Sequence, residues 1–449
     1  MESEHQNQSI MLSSISFVAI ALLSIAMAAR QFMKVRRNIL LGQAEEIPGE
    51  QALRWRNVLL VAFGQQKMFK NALPAILHLF IYVAFVITQI ELIEIFIDGI
   101  FGTHRFFAPS LGGFYTFIIS FIEVLSALAL IATFVFLVRR NVLHIARFQK
   151  PELKGWPAKD ANVILYLEIA LIFCIFLMNS ADMALHQNSY GFALSRYISP
   201  VWQDFPAASL HLLERIGWWG HVLVVFAFLN YLPVSKHLHI LLAFPNTWYA
   251  PQRPRGEMEN MPAIMQEVKS MLGLSDATAT AEVPDFGAGD VPAMSWKNIL
   301  DAYSCTECGR CTAVCPANST GKKLSPRKVV MSIRDRAEEI GRKIDSGDMT
   351  YAKDAAKALD AANFQDGKSL FDYISPEEIH ACTTCNACVE ACPVLINPLD
   401  PILKMRRYEI LTLSQGPSDW LPMFNSMENS GAAWAMSTPR DQWTKELSA

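Results

Sequence analysis

Five runs of about twenty or more apolar residues constrain this chain more than any other feature: Ile10–Ala29, Ala72–Ile97, Phe114–Val138, Val163–Met183 and Ala207–Leu232. A bilayer core is about 30 Å thick, and a helix rising 1.5 Å per residue crosses it in roughly 20 residues. Lipid offers no partner to backbone N–H and C=O groups, so each run is expected to be a helix. None alternates with the two-residue period of a strand. The first run is too long for a signal-peptide core and lacks a small-residue cleavage site, so it reads as a span. Composition agrees: 52% of residues are hydrophobic and 18% charged, against about 25% charged in soluble domains.

Flanking charge sets an expected orientation. Segment 30–70 holds eight basic residues and segment 139–161 holds six, whereas loops 98–113 and 184–206 hold only Arg105 and Arg196. Positive residues stay on the cytoplasmic side. The chain is therefore expected to be a multi-pass protein of the cytoplasmic (inner) membrane, with its N-terminus outside and everything after the fifth span in the cytoplasm. The net charge of −3 gives no reason to expect a nucleic-acid partner.

Eight of the nine cysteines form two motifs, Cys305-x2-Cys308-x2-Cys311-x3-Cys315-Pro316 and Cys382-x2-Cys385-x2-Cys388-x3-Cys392-Pro393. This is the spacing of bacterial two-cluster ferredoxins, in which the fourth thiolate of each motif serves the other cluster. The expected sets are Cys305, Cys308, Cys311 and Cys392 for one [4Fe–4S] cluster, and Cys382, Cys385, Cys388 and Cys315 for the other. Zinc sites use separated ligand pairs rather than four-cysteine runs closed by proline. Gly309 and Ala387 are small residues in the expected binding loops. The 66 residues between the motifs exceed a compact ferredoxin hairpin. Ser325–Ile344 and Thr350–Ala362 look helical, the first with Pro326 in its opening turn. The lone Cys174, mid-span, reads as a packing residue.

Histidine within a span is costly and marks a functional candidate. His78 and His221 each lie about 8–11 residues, or roughly 12–17 Å, from the cytoplasmic end of their runs, which suits bis-histidine ligation of a b-type haem. A helix–helix hydrogen bond is the alternative. His239 follows His221 by eighteen residues, five turns if the helix continues, although Pro233 should kink it. His239 is thus a candidate ligand of a second haem, with Met68 or His144 as alternative partners. Glu91 and Glu123 lie deep enough to serve quinone protonation; Glu94 and Asp98 fit a solvated rim.

The whole is expected to be all-α. A membrane domain at 1–245 is followed by a linker at 246–294 with a short helix near 259–272, a two-cluster ferredoxin domain at 295–410 and a tail at 411–449. The tail carries Trp420, Leu421, Phe424, Trp434 and Trp443 and is expected to dock a partner or pack back on the ferredoxin domain. No Gly-x-Gly-x-x-Gly fingerprint follows a strand, so no dinucleotide site is expected.

The histidines of spans two and five, with the segment Asn230-Tyr231-Leu232-Pro233-Val234-Ser235-Lys236-His237-Leu238-His239, resemble the nitrate reductase gamma-subunit type of dihaem cytochrome b. Where that family has a second histidine in span two, this chain has Met68. The C-terminal part is similar to the helical dicluster subunit of heterodisulfide reductase. It shares Gly321-x3-Ser325-Pro326-Arg327-Lys328 after the first motif and Met405-Arg406-Arg407 after the second. The resemblance implies an oxidoreductase subunit with two [4Fe–4S] clusters and one or two b haems, exchanging electrons with a membrane quinone, menaquinone or ubiquinone. It implies as soluble partner a CCG-type iron–sulfur subunit, electron-transferring flavoprotein, or both. No Cys-Cys-Gly occurs here, so a CCG module is expected on a separate subunit. A relay and anchor without its own quinone site is the rival reading.

Overall fold

The computed structural model describes residues 2–143, 145–187, 190–254, 256–274, 286–347, 366–434, 438 and 441–447. Among the described residues the chain is helical, with no strand and a single bridge between Gln43 and Ser295. The expected helix Thr350–Ala362 and His144 lie outside the described residues.

Among the described residues, five helical stretches are long and apolar enough to cross a membrane: Ile10–Ile39, Ala72–Phe101, Gly113–Asn141, Trp156–His186 and Ala207–Val234. Most run past the apolar residues that announce them, because helix formation continues into polar ends while hydropathy does not. The fourth begins after Gly155, at positive φ, with Pro157 in its first turn, where a missing N–H costs nothing. The second is broken into Ala72–Ile87 and Gln89–Phe101. There the Thr88 hydroxyl (3.3 Å) and the Gln89 amide (2.8 Å) both donate to the Phe85 carbonyl and compete with the helix ladder.

Packing follows small residues and aromatics. A Cβ on Gly217 would lie 2.6 Å from the Met178 nitrogen, so glycine lets the fourth and fifth spans approach at backbone distance. Cys174 abuts Gly220 in the same seam, a packing position. Phe17 of the first span meets Phe96, Trp218 and Phe226 with centroids 5.4, 5.6 and 6.2 Å away.

The fifth helix ends at Tyr231. Two short 3-10 turns, Leu232–Val234 and Lys236–Leu238, precede a new helix, His239–Trp248. The continuous helix that would place His221 and His239 on one face is therefore absent. Pro233 supplies no N–H to continue the ladder.

The C-terminal helices share one core: Val291, Met294, Ile299, Val329, Ile333, Ile340, Leu370, Ile379 and Met405 are at most 1% exposed. Each such side chain contributes about 1.5–3 kcal/mol on burial. The segment expected as linker is mixed. Helix Pro262–Met271 stands near its expected place, whereas Ala288, Val291 and Met294 are core residues of the cysteine domain. Ser325 caps the long helix Pro326–Asp345 by accepting from the Lys328 N–H, as its Ser-Pro start suggests.

The domain sits on one end of the bundle. Asn38 donates to the Tyr303 hydroxyl at 2.9 Å, and Arg37 to the Gly341 carbonyl at 2.9 Å. Lys70 pairs with Glu390 at 2.7 Å.

Candidate functional site

The two cysteine motifs fold into the same loop twice. In each, the residue before the second cysteine and the residue after it take left-handed backbone: Glu307 (φ 52) and Gly309 (φ 72) in one, Thr384 (φ 55) and Asn386 (φ 59) in the other. This curls the chain so that backbone N–H groups face inward. The Glu307 and Thr384 nitrogens each lie 3.4 Å from the sulfur of the first cysteine of their motif, and the Ile396 nitrogen 3.2 Å from that of Cys392. A short helix then carries the third cysteine in each case, Arg310–Ala313 and Ala387–Ala391. These helices pack together, and the fourth cysteine leaves the end of each toward the other loop.

The thiols are grouped across the motifs. Cys305, Cys308, Cys311 and Cys392 line one cavity of about 350 Å³; Cys315, Cys382, Cys385 and Cys388 line another of about 320 Å³. Burial, and then the neighbouring Glu307, push the Cys305 thiol up to about 12. Burial, and then Cys308, push Cys392 to about 12; burial, and then Cys382, do the same to Cys388. Cys305, Cys388 and Cys392, buried among other thiols, resist ionising alone, but suit a positively charged metal core that takes them as thiolates. The residues therefore fit the two expected iron–sulfur clusters.

Gly309 has a second constraint: a Cβ there would strike the Arg327 guanidinium. That group is 1% exposed and donates to the Arg147 carbonyl (3.0 Å) and to Glu152 (2.8 Å), fixing the first cysteine loop to the connection between spans three and four. Gly309→Ala is expected to destabilise the domain by about 1–3 kcal/mol. The check is a lowered thermal midpoint with a sharper loss of absorbance on the Cys305 side; an unchanged midpoint would show that the loop does not need its left-handed residue.

The first cysteine loop lies against the turn Gln66–Lys70, which precedes the helix carrying His78. Arg310, between Cys308 and Cys311, donates to the carbonyls of Lys67 (2.8 Å) and Met68 (3.4 Å). Glu307 accepts from Lys236 at 2.5 Å and pairs with Arg334 at 3.0 Å. Burial alone would raise its carboxyl, yet Lys236 and Arg334 hold it below the usual carboxylate range.

His78 lies six residues into its helix, and its Nδ1 is 3.0 Å from the Gln65 amide oxygen. With Nδ1 donating, the Nε2 lone pair is free for a metal. His239, His237 and Arg310 are close enough to act electrostatically on or with His78. The rings of His237 and His239 are 6.0 Å apart. Burial, then His239 and His78, hold His237 down at about 3, and burial chiefly lowers His239, a direction that favours the neutral, ligating form of the ring. His221 stands apart, buried between helices, with its Nδ1 unpartnered and Leu171 accepting at the backbone. An unpartnered imidazole nitrogen in a bundle core and neutral histidines near the cysteine loop both fit haem ligation. Met68 occupies a 3-10 turn, Gln66–Lys70, rather than the membrane helix itself.

Glu91 and Glu123 are at the opposite end of the bundle and differ sharply. Glu123 accepts from Asn179 (3.1 Å), the Leu194 N–H (2.7 Å), the Ser195 N–H (3.2 Å) and the Ser195 hydroxyl (2.5 Å). Glu91 is 2% exposed, and neither of its oxygens has a hydrogen bond. Its neighbour is Arg105, 3.6 Å away. Glu94 is a buried acceptor for Tyr115 (2.7 Å) and the Phe107 N–H (2.9 Å) rather than a solvated rim residue.

The fold and site define a class: a five-helix membrane bundle carrying an α-helical dicluster iron–sulfur domain. Residues 304–396 match the family model described as 4Fe-4S dicluster domain. The chain is 28% identical over 428 residues to "Probable iron-sulfur-binding oxidoreductase FadF" of Bacillus subtilis, covering 91% of this chain and 57% of that one. It is 25% identical over 399 residues to "EtfAB:quinone oxidoreductase" of Syntrophomonas wolfei, covering 84% and 51%. A "Probable membrane-anchored ferredoxin" of Chromohalobacter salexigens is 34% identical over 156 residues, 32% of this chain and 21% of that one. The chain thus spans about half the length of the first two relatives. No solved structure matches it.

Proposed function

We propose that the chain is a membrane electron-transfer subunit linking a cytoplasmic redox partner to the quinone pool, within a heterodisulfide reductase-like or ETF:quinone oxidoreductase-like complex. The observation that carries this reading is the seam at Arg310. A residue inside the first cysteine loop is bonded to the carbonyls of Lys67 and Met68, ten or so residues from His78. That contact supports a continuous route from the cysteine cavities into the bundle. Two [4Fe–4S] clusters and b-type haem supply one-electron chemistry when bound.

The chain's own residues divide the remaining tasks. Cys305, Cys308, Cys311 and Cys392 hold one cluster, and Cys315, Cys382, Cys385 and Cys388 the other. His78 and His221 are haem ligands, with His239 serving a second haem. The proximity of His78 to His237 and His239 supports a site near the cysteine domain. Glu91, buried and without hydrogen bonds, is the better placed of the two acids for moving a proton; the four bonds on Glu123 favour an anchoring role. The basic loops support an orientation with the cysteine domain in the cytoplasm. Leu421, Phe424, Trp434 and Trp443 are 45–72% exposed, which supports docking of an iron–sulfur or flavoprotein partner on the tail, while Trp420 packs on His380 with centroids 4.9 Å apart.

A pyridine haemochrome assay on the purified chain tests the membrane site. His78→Ala and His221→Ala are each expected to remove the same b-haem signal while leaving non-haem iron unchanged. His239→Ala is expected to remove only a second signal. Absence of haem from the unmodified chain would end the haem part of the proposal.

A further inference from the structure

At the end of the bundle opposite the cysteine domain, three metal-ligating side chains converge that have no part in the proposed electron route. His104 follows the end of the second span. Asp182 and His186 lie four residues apart in the last turns of the fourth span, on one helix face. The Asp182 side chain is 1% exposed, and its Oδ1 lies 2.7 Å from His186 Nδ1 and 3.3 Å from His104 Nε2. The two imidazole rings are 4.9 Å apart. One ligand atom from each of the three residues falls within 4.8 Å of the other two.

The other carboxylate oxygen is already spoken for. Asp182 Oδ2 accepts from Arg105 at 3.2 Å, and Arg105 also holds the Asn179 amide oxygen at 2.6 Å. Arg105 thereby orients Asp182 so that Oδ1 faces the two imidazoles, in the manner of a residue that positions a ligand from behind. His104 and His186 are 35% and 44% exposed at their side chains, so the group opens to water on one side.

The surrounding charge favours a cation. Glu91, Glu94 and Asp182 act on the single guanidinium of Arg105, and Glu123 acts on Glu91 in turn. Three buried carboxyl groups around one arginine, with Glu123 behind Glu91, leave an excess of negative charge unless protons or a further cation offset it. Two imidazole nitrogens and one carboxylate oxygen, with a fourth position open to water, form a donor set that zinc prefers and that copper and nickel also accept.

We propose that His104, Asp182 and His186 bind one divalent transition-metal ion of the zinc class at this end of the bundle. Binding displaces the protons that the facing imidazole nitrogens share with Asp182. The bland alternative is a carboxylate that merely accepts two hydrogen bonds.

The test uses the full-length chain in detergent with its iron in place, because empty cysteine loops would also take zinc. Zinc is counted by equilibrium dialysis in the unmodified chain, in His104→Ala, in His186→Ala and in the double variant. The unmodified chain is expected to hold one Zn²⁺ more than the double variant at equal iron content, and each single variant to bind it ~10-fold or more weakly. Independently, one equivalent of Cu²⁺ added to the unmodified chain is expected to give an EPR spectrum split by two nitrogens, and by one nitrogen in either single variant. Equal zinc counts in the unmodified and double-variant chains would overturn the proposal. So would a copper spectrum without two nitrogens in the unmodified chain, which needs no variant to fold. Neither readout depends on haem, quinone or electron transfer.

Discussion

Cys392→Ala is expected to abolish the cluster built on Cys305, Cys308 and Cys311 and to leave its sequence neighbours Cys382, Cys385 and Cys388 with theirs. The two sets of four thiols should together hold about eight non-haem irons, so the variant should retain about half. The expectation runs against proximity in sequence: Cys392 is four residues from Cys388 yet lines the other motif's cavity. The intervening helix Ala387–Ala391 turns its last residue away, and the extended backbone of Cys392 (φ −70, ψ 124) continues across the gap. Cys315→Ala is the mirror experiment. EPR of the reduced variants decides it, and loss of the Cys382–Cys388 signal in Cys392→Ala would mean that each motif serves its own cluster.

A second large effect is expected at Arg336. Its side chain has no exposure, and its guanidinium bonds Asp290 through Nε (3.0 Å) and Nη2 (2.6 Å) and Asp366 through Nη1 and Nη2 (2.7 Å each). Arg336→Ala would leave the Asp366 carboxylate, 1% exposed, and the partly buried Asp290 around a hole, a change that costs about 3–5 kcal/mol. Lys343 also reaches Asp366, at 2.9 Å, but is 30% exposed, and Lys343→Ala should cost at most about 1 kcal/mol. Thermal denaturation followed through the visible absorbance of the cysteine domain separates the two. Equal shifts would show that burial of the guanidinium does not set its worth.

Much of this was legible in the sequence because the governing signals are local. Apolar runs marked the spans, since only a helix satisfies its backbone in lipid, and the Cys-x2-Cys-x2-Cys-x3-Cys-Pro spacing anticipated the grouping of Cys315 and Cys392 with the thiols of the other motif. What escaped depends on side chains acting at a distance. The break at Thr88 has no glycine or proline to announce it; two side chains competing for one carbonyl produce it. Left-handed backbone is visible in a sequence when glycine fills it, as at Gly309, but Glu307, Thr384 and Asn386 adopt it under the hold of their surroundings. Counting turns from His221 to His239 allowed for a kink at Pro233 but not for the end of the helix at Tyr231, so the nearness of His237 to His78 does not follow from it. Arg105 was visible as the one basic residue of its loop, but it counted only toward orientation. Its meeting with Glu91 and Asp182 joins loop and spans far apart in the chain.

The seam between the first helix and the cysteine domain sets an order of biogenesis. Asn38 waits for Tyr303, 265 positions later, and Arg37 for the Gly341 carbonyl, 304 positions later. Gly42 lies where a Cβ would come within 2.6 Å of the Trp296 nitrogen, a groove whose other wall is synthesised much later than this one. Contacts of such separation form late and slowly. The first helix is therefore inserted with its end bare, and the bundle is threaded before its cap exists. Arg310 and Glu307 then close the first cysteine loop against Lys67 and Lys236. The loop that gathers Cys305, Cys308 and Cys311 is thus fastened to segments made 71 and 243 positions before it, so its closure follows the bundle rather than guiding it.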